Sequence, residues 1–194
     1  MSLLSVSQSL ALNVGMSVPD VVATNTEREW VEALSLINDC GKELARRVDW
    51  SALVQQGTLI GDGTSAGIPL PAGFSRVQRG NAVISTGTVR PTTRAEYNTL
   101  TATEGVPRYY LLEDQTLLFW PYLANAETAT VHYQTKFWVN GTEGYTADDQ
   151  TADLDERLLE LAIIARWRRQ KGMDYADFEA EYEAALADKA QFDM

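Results

Sequence analysis

The sequence predicts an α+β fold: a bundle built from N- and C-terminal helices, with an antiparallel β-rich lobe inserted between them. Three observations predict it. Residues 1–50 carry apolar side chains at three- and four-residue steps, the spacing of a helix face. From about residue 57 to 140 the pattern changes to short alternating or aromatic-rich runs, broken by Gly, Pro and Asn-Gly. Helical spacing then returns at Asp153. The expected division is 1–50 with 150–194 for the bundle and 51–149 for the lobe.

The first helix rests on Leu3, Val6, Leu10 and Val14, with Ser2 as its cap and Gly15 and Pro19 as its stop. For the second, Thr26-Glu27-Arg28-Glu29 has the spacing of a capping box. Trp30, Leu34, Ile37, Gly41, Leu44 and Val48 follow on one stripe. A glycine inside such a stripe weakens the helix, so Gly41 predicts the close approach of a neighbouring helix. Arg46 and Arg47 fall in the last turn, where cations complement the helix dipole. Asp49-Trp50 then marks the corner between helical and β parts.

Within the lobe, Gly61-Asp62-Gly63 is turn chemistry, and Pro69 and Pro71 hold Leu70 extended. Residues 74–84 read as one or two strands, and 91–100 as a short helical turn. The run RYYLLEDQTLLFWPY, 108–122, reads as a hairpin around Glu113-Asp114-Gln115. In TATVHYQTKFWV, 128–139, the residues Ala129, Val131, Tyr133, Thr135, Phe137 and Val139 share a face, and Asn140-Gly141 is the turn that follows. Aromatics crowd this part of the chain, and the second face of such strands is expected to meet either the helical bundle of the same chain or a partner chain.

The closing helices begin with an acidic start, Asp153-Leu154-Asp155-Glu156, and an apolar face of Leu154, Leu158, Leu161, Ala162 and Ala165. Arg166, Arg168, Arg169 and Lys171 crowd the end before Gly172. The last helix starts at Asp174 and has a thin stripe of Tyr175, Phe178, Tyr182, Ala185 and Leu186. A stripe that thin predicts that the segment Asp174–Met194 completes its burial on a partner.

Composition narrows the function. A formal net charge of −11 argues against holding DNA or an anionic membrane by bulk charge. One Cys leaves no internal disulfide framework, the longest clean apolar run, 161–165, is too short to span a bilayer, and the opening residues lack a basic signal-peptide region. His132 and Cys40 are each the only residue of their type, and neither has a local motif for a nucleophile, a base or a zinc site. No phosphate-binding Gly-rich loop or calcium loop is present. The paired acids Asp153 and Glu156 lie where they cap a helix. No catalytic, metal or cofactor site is expected, and the chain is read as a structural protein.

Several stretches resemble a known family, the head–tail connector (adaptor) proteins of tailed bacteriophages and gene transfer agents. They are MSLLSVSQSLALNVGMSVP, LARRVDWSALVQQGTL, IPLPAGFSRV, RYYLLEDQTLLFWPYLANAETATVHYQTKFWV and TADLDERLLELAIIARWRRQKGMDYADFEAEYEAAL. The resemblance implies a virion protein made in the host cytoplasm. Its copies form a ring, usually of about twelve, docked beneath the portal protein, which joins portal to tail or neck proteins and leaves a channel for DNA. A head-completion or tail-terminator protein is the alternative. On this reading the structural and interface residues are Trp50, locking the joint between bundle and lobe, with Arg166, Arg168, Arg169, Tyr175, Phe178 and Tyr182 near the C-terminal end.

Overall fold

The computed structural model of the chain describes residues 1–79 and 82–192. In chain order the elements are α1 (Leu3–Val14), α2 (Arg28–Arg47), a 3-10 turn (Ser51–Leu53), β1 (Val54–Ile60), β2 (Ile68–Pro69), β3 (Phe74–Val77), β4 (Val83–Ile84), β5 (Arg90–Pro91), α3 (Arg94–Tyr97), β6 (Tyr109–Glu113), β7 (Thr116–Trp120), β8 (Thr128–Thr135), α4 (Glu156–Gln170) and α5 (Ala176–Phe192). The architecture is α+β, with terminal helices flanking an inserted region of mainly antiparallel sheet. Met1–Leu53 and Lys136–Met194 form a helical unit, and Val54–Thr135 form a β-rich unit. The lobe was expected to run to residue 149; residues 136–149 instead belong to the helical unit.

The helical unit follows its local signals closely, with three corrections. Ser2 caps α1, its hydroxyl accepting from Ser5 N at 3.2 Å, and Gly15 ends it in the left-handed region at φ 74°. The capping box expected at Thr26–Glu29 does not form. The N-cap is Glu27, which makes no side-chain cap bond, and its amide instead donates to Asn25 Oδ1 at 2.8 Å. The second correction is at Gly41. The group against it is the indole of Trp138, and a Cβ at Gly41 would overlap the six-membered ring. The third is α4. Leu158, Leu159, Leu161, Ala162, Ile163, Ile164, Ala165 and Trp167 are all buried, so the helix is enclosed on most sides instead of along one stripe. It packs against α1, α2 and α5. Its cap is Asp155, whose carboxylate accepts from Leu158 N at 3.1 Å, two residues later than the expected start.

Residues 136–152 tie this unit together. Trp138 is fully buried, donates from Nε1 to Glu143 O at 2.8 Å and meets the Tyr145 ring edge-on at 5.3 Å. The Asn38 side chain of α2 holds the main chain of Tyr145 from both sides, accepting from its N at 2.7 Å and donating to its O at 3.2 Å. Asp148 Oδ1 accepts from Val22 N and Ala23 N, each at 3.0 Å. The turn at Asn140-Gly141 forms as predicted, at φ 37° and 79°. The strand before it is shorter than predicted. β8 ends at Thr135, and Trp138 and Val139 are then buried side by side in the helical core while Phe137 is half-buried.

In the β-rich unit β8 is the central strand, with β1 on one side and β3 and β4 on the other, all antiparallel. Gly80 and Asn81, within the region expected to form one or two strands, lie outside the described residues. The second sheet runs β2-β7-β6-β5, with β5 parallel to β6. The predicted hairpin is β6–β7, turning on Asp114 and Gln115, both at positive φ (45° and 64°), the two-residue turn that suits strand twist. Leu59, Phe74, Val83, Tyr110, Leu117, Phe119, Val131 and Tyr133 form its core. A complete capping box does occur in the chain, at Thr93 and Glu96 of α3, where the sequence predicted a helical turn.

Gly41→Ala tests the indole contact. Alanine gains helix propensity of about 1 kcal/mol over glycine, but the ring must move, and overpacking costs about 1–3 kcal/mol. The expected outcome is net loss of stability, read by denaturant unfolding. Gly41→Ala paired with Trp138→Leu is expected to recover part of that loss.

Candidate functional site

The side chains singled out in the sequence lie in two places in the helical unit. Arg166, Arg168, Arg169, Tyr175, Phe178 and Tyr182 come together where the end of α4 faces the start of α5. Trp50 lies apart, in the core.

The α4–α5 cluster is an alternation of cations, rings and acids. Arg166 Nη1 pairs with Glu43 of α2 at 2.8 Å and lies 3.9 Å from Cys40 Sγ. The Arg168 guanidinium stacks 4.5 Å from the centre of the Phe178 ring and donates to Asp174 O and Asn13 O, each at 3.1 Å. Arg169 lies over Tyr175 at 5.7 Å and pairs with Glu179 at 3.6 Å. Lys171 pairs with Glu32 at 2.6 Å and covers the Trp167 ring. Every cation of the cluster has a partner on a neighbouring element. These cations bind α2, α5 and the end of α1: Glu32 and Glu43 of α2 and Glu179 of α5 converge on the same end of α4, and the carbonyls of Asn13 and Asp174 accept from Arg168.

Sequence reasoning missed Arg47. It forks onto Glu183 at 2.6 and 2.8 Å, lies 5.6 Å over the Tyr182 ring and donates to its hydroxyl at 3.4 Å. Its position near the end of α2 explained it as a dipole partner. Nothing in local spacing could find an acid on a helix so distant in sequence. Arg47, Arg166, Arg169, Glu43, Glu179 and Tyr182 line a cleft of about 100 Å³ with Cys40 at its wall. Positive and negative groups alternate around it, so it carries no excess charge for an ion to answer.

The closing helix is likewise packed already. α5 lies on α4 with Tyr182 and Leu186 buried and Phe178 and Ala185 half-buried, so the segment has its own seat in the helical unit. Glu181 pairs with Arg157 and Lys189 with Asp155 at 3.4 Å. Asp193 and Met194, the end of the segment expected to dock on a partner, lie outside the described residues.

Trp50 is 2% exposed and donates from Nε1 to Leu44 O at 2.7 Å, capping the end of α2 with its own indole. It packs in the helical core with Leu53 and Leu154. Cys40 lies in the helical core and His132 in β8. Burial pushes the Cys40 thiol up to about 11, with Arg166 pulling the other way, so the nucleophilic thiolate is disfavoured. His132 takes its place in the β8 ladder, donating from its N to Ala82 O at 2.7 Å. Among the described residues no group of three or more His, Cys, Asp or Glu could hold a metal ion, and no helix is long and apolar enough to cross a membrane.

A family model described as SU10 adaptor protein matches residues 1–194. None of the curated proteins compared with the chain matches it.

Two measurements check these environments. Trp50→Ala is expected to lower stability by about 3–5 kcal/mol in denaturant unfolding, with a smaller loss for Trp50→Phe, which refills most of the space but forfeits the bond to Leu44. For Cys40, alkylation of the folded chain at mild pH is expected to run slower than in denaturant by on the order of a hundred-fold. The same burial gives a pH trend. The folded chain keeps the thiol protonated where the unfolded chain has lost it, so unfolding free energy falls as pH rises from the ordinary 9.0 toward about 11. A Cys40→Ala variant is expected to lack that slope.

Proposed function

The chain belongs to the SU10 adaptor protein family, and on that premise we propose that it is a virion structural protein that docks beneath the portal as a ring and joins it to the tail. The observation that carries this reading is the family match along the whole chain, 1–194. The rest of the molecule is consistent with it in three ways. The Cys40 thiol is buried in the helical core, and His132 lies in strand β8. The helices are locked to one another by rings and ion pairs that fix the shape of the helical unit, and a ring closes only if its repeating part has a fixed shape. Finally, an acidic protein repels phosphate, which suits a channel through which DNA passes without being held.

In this role the ring has about twelve copies, binds the portal on one side and tail or neck proteins on the other, and needs no cofactor. The acidic surface also bears on assembly. Like-charged copies repel one another unless a partner gathers them, so the portal serves as the template.

The test is to mix the purified chain with portal from the same phage. At low concentration the chain alone is expected to sediment as a monomer or weak oligomer, and negative-stain images of the mixture are expected to show an added ring coaxial with the portal. A stable closed ring formed by the chain alone contradicts the template role. Capture by tail components with no binding to portal contradicts the portal-side assignment and points to another neck component.

A further inference from the structure

Charge is divided unevenly between the two units. The β-rich unit, 54–135, carries six acids and five bases, and all five bases are arginine. The helical unit therefore holds ten of the eleven net negative charges. Two of the five arginines, Arg90 and Arg108, lie side by side: Arg90 N donates to Arg108 O at 2.9 Å, and Arg90 is in register with Tyr109. Both are exposed, and neither has an ion-pair partner among the described residues. Nearby Arg94, by contrast, pairs with Glu113 at 2.8 Å.

These guanidiniums border a groove. Arg90 and Tyr109 line two adjoining hollows, one of about 330 Å³ with Pro91, Thr92 and Leu100, the other of about 250 Å³ with Pro107 and Arg108. Tyr109 is 36% exposed and rests on Trp120 with ring centres 6.0 Å apart, so the wall is stiff. Glu96 also lines the first hollow, but its carboxylate is committed to Thr92 and Thr93 in the cap of α3. The result is a trough that is apolar beside Pro91 and Leu100 and polar beside Arg108, with Tyr109 between and two forked donors that have no ion-pair partner among the described residues.

We propose that this groove docks helix α5 of a second copy of the chain. The proposal rests on the reading that copies assemble side by side. The argument is charge complementarity. On α5, Asp177, Glu181, Ala184 and Asp188 recur at steps of four, three and four, so they share one face, and all four are exposed. Asp177 and Asp188 have no basic partner among the described residues. The exposed side chains around them, Ala180, Ala184 and Ala187, are small, which lets a helix sit deep in a trough. The face from Asp177 to Asp188 is about 16 Å long. Groove and stripe lie on different units, so each copy offers both surfaces and the contact is head-to-tail, the kind from which rings are built.

Two complementary variants of the full chain test this. Arg90→Glu with Arg108→Glu makes the groove acidic; Asp177→Arg with Asp188→Arg makes the stripe basic. All four residues are exposed, so both variants are expected to melt like the wild type. By sedimentation at high protein concentration and low salt, the wild type is expected to self-associate. Each variant alone is expected to associate about ten-fold more weakly or worse. The two mixed in equal amounts recover the wild-type level, because the acidic groove meets the basic stripe and the unaltered groove meets the unaltered stripe. A monomeric wild type under these conditions, a variant that associates normally, or a mixture that fails to recover each overturns the proposal. So does a groove variant that changes binding of duplex DNA while leaving self-association intact. Failure to bind portal with the association pattern intact would count against the proposed function alone.

Discussion

The helical unit depends on one close approach, the indole of Trp138 against the bare backbone of Gly41. α2 accepts a weak helix former at its centre so that a large ring can lie flat on it. The ring then anchors a segment that contains no helix of its own. Tyr145 meets its edge, Asn38 clamps the main chain beyond, and Asp148 reaches the connection between α1 and α2. Trp138 is the largest of the side chains, with Val139 and Tyr145, that residues 136–152 bury in the helical core. Polar clamps of this kind contribute only about 0.5–1.5 kcal/mol each, whereas a buried indole contributes several times that; the ring is the anchor and the hydrogen bonds set the geometry.

The second organising feature is the way α4 and α5 are joined. A helix with only two fully buried side chains, Tyr182 and Leu186, would be a poor tenant of its bundle on apolar area alone. Stacked guanidiniums and ion pairs along its length supply the rest. Individually such exposed pairs are worth about 0–1 kcal/mol. Here several act on one helix at once, from Arg47 of α2, from Arg157 and Arg169 of α4 and from Asp155 at the cap of α4. On the outer side of α5, Glu181 pairs with Arg157, while Asp177 and Asp188 have no basic partner among the described residues.

Much of the fold is legible in the sequence because its signals are local. Ser2, Gly15, Asp114-Gln115, Asn140-Gly141 and Gly172 act within a few residues of themselves, and the periodicity of α1, α2 and β8 needs no tertiary knowledge. The failures share a different cause. Gly41 correctly signalled a close neighbour, but the identity of that neighbour lay almost a hundred residues away. Thr26–Glu29 matched a cap pattern that Asn25 pre-empted one residue earlier. The partners of the cluster at Arg166–Lys171, Glu32 and Glu43 of α2 and Glu179 of α5, lie on other helices, where local spacing cannot identify them.

The helical unit is discontinuous, assembled from Met1–Leu53 and Lys136–Met194. This sets an order of events on the ribosome. Once Thr135 has emerged, every strand of the β-rich unit has its partner, since β8 is the last strand and pairs with β1, β3 and β4. α1 and α2, although made first, must wait, because the helix they pack on is α4. During synthesis the nascent chain therefore carries two amphipathic helices with open apolar faces beside a β-rich unit whose strands are complete, and those faces close only when the C-terminal part arrives. The loop to be closed spans the whole β-rich unit. Its entropic cost grows only slowly with length, and prior folding of 54–135 reduces the flexible part of that span to the residues at its edges.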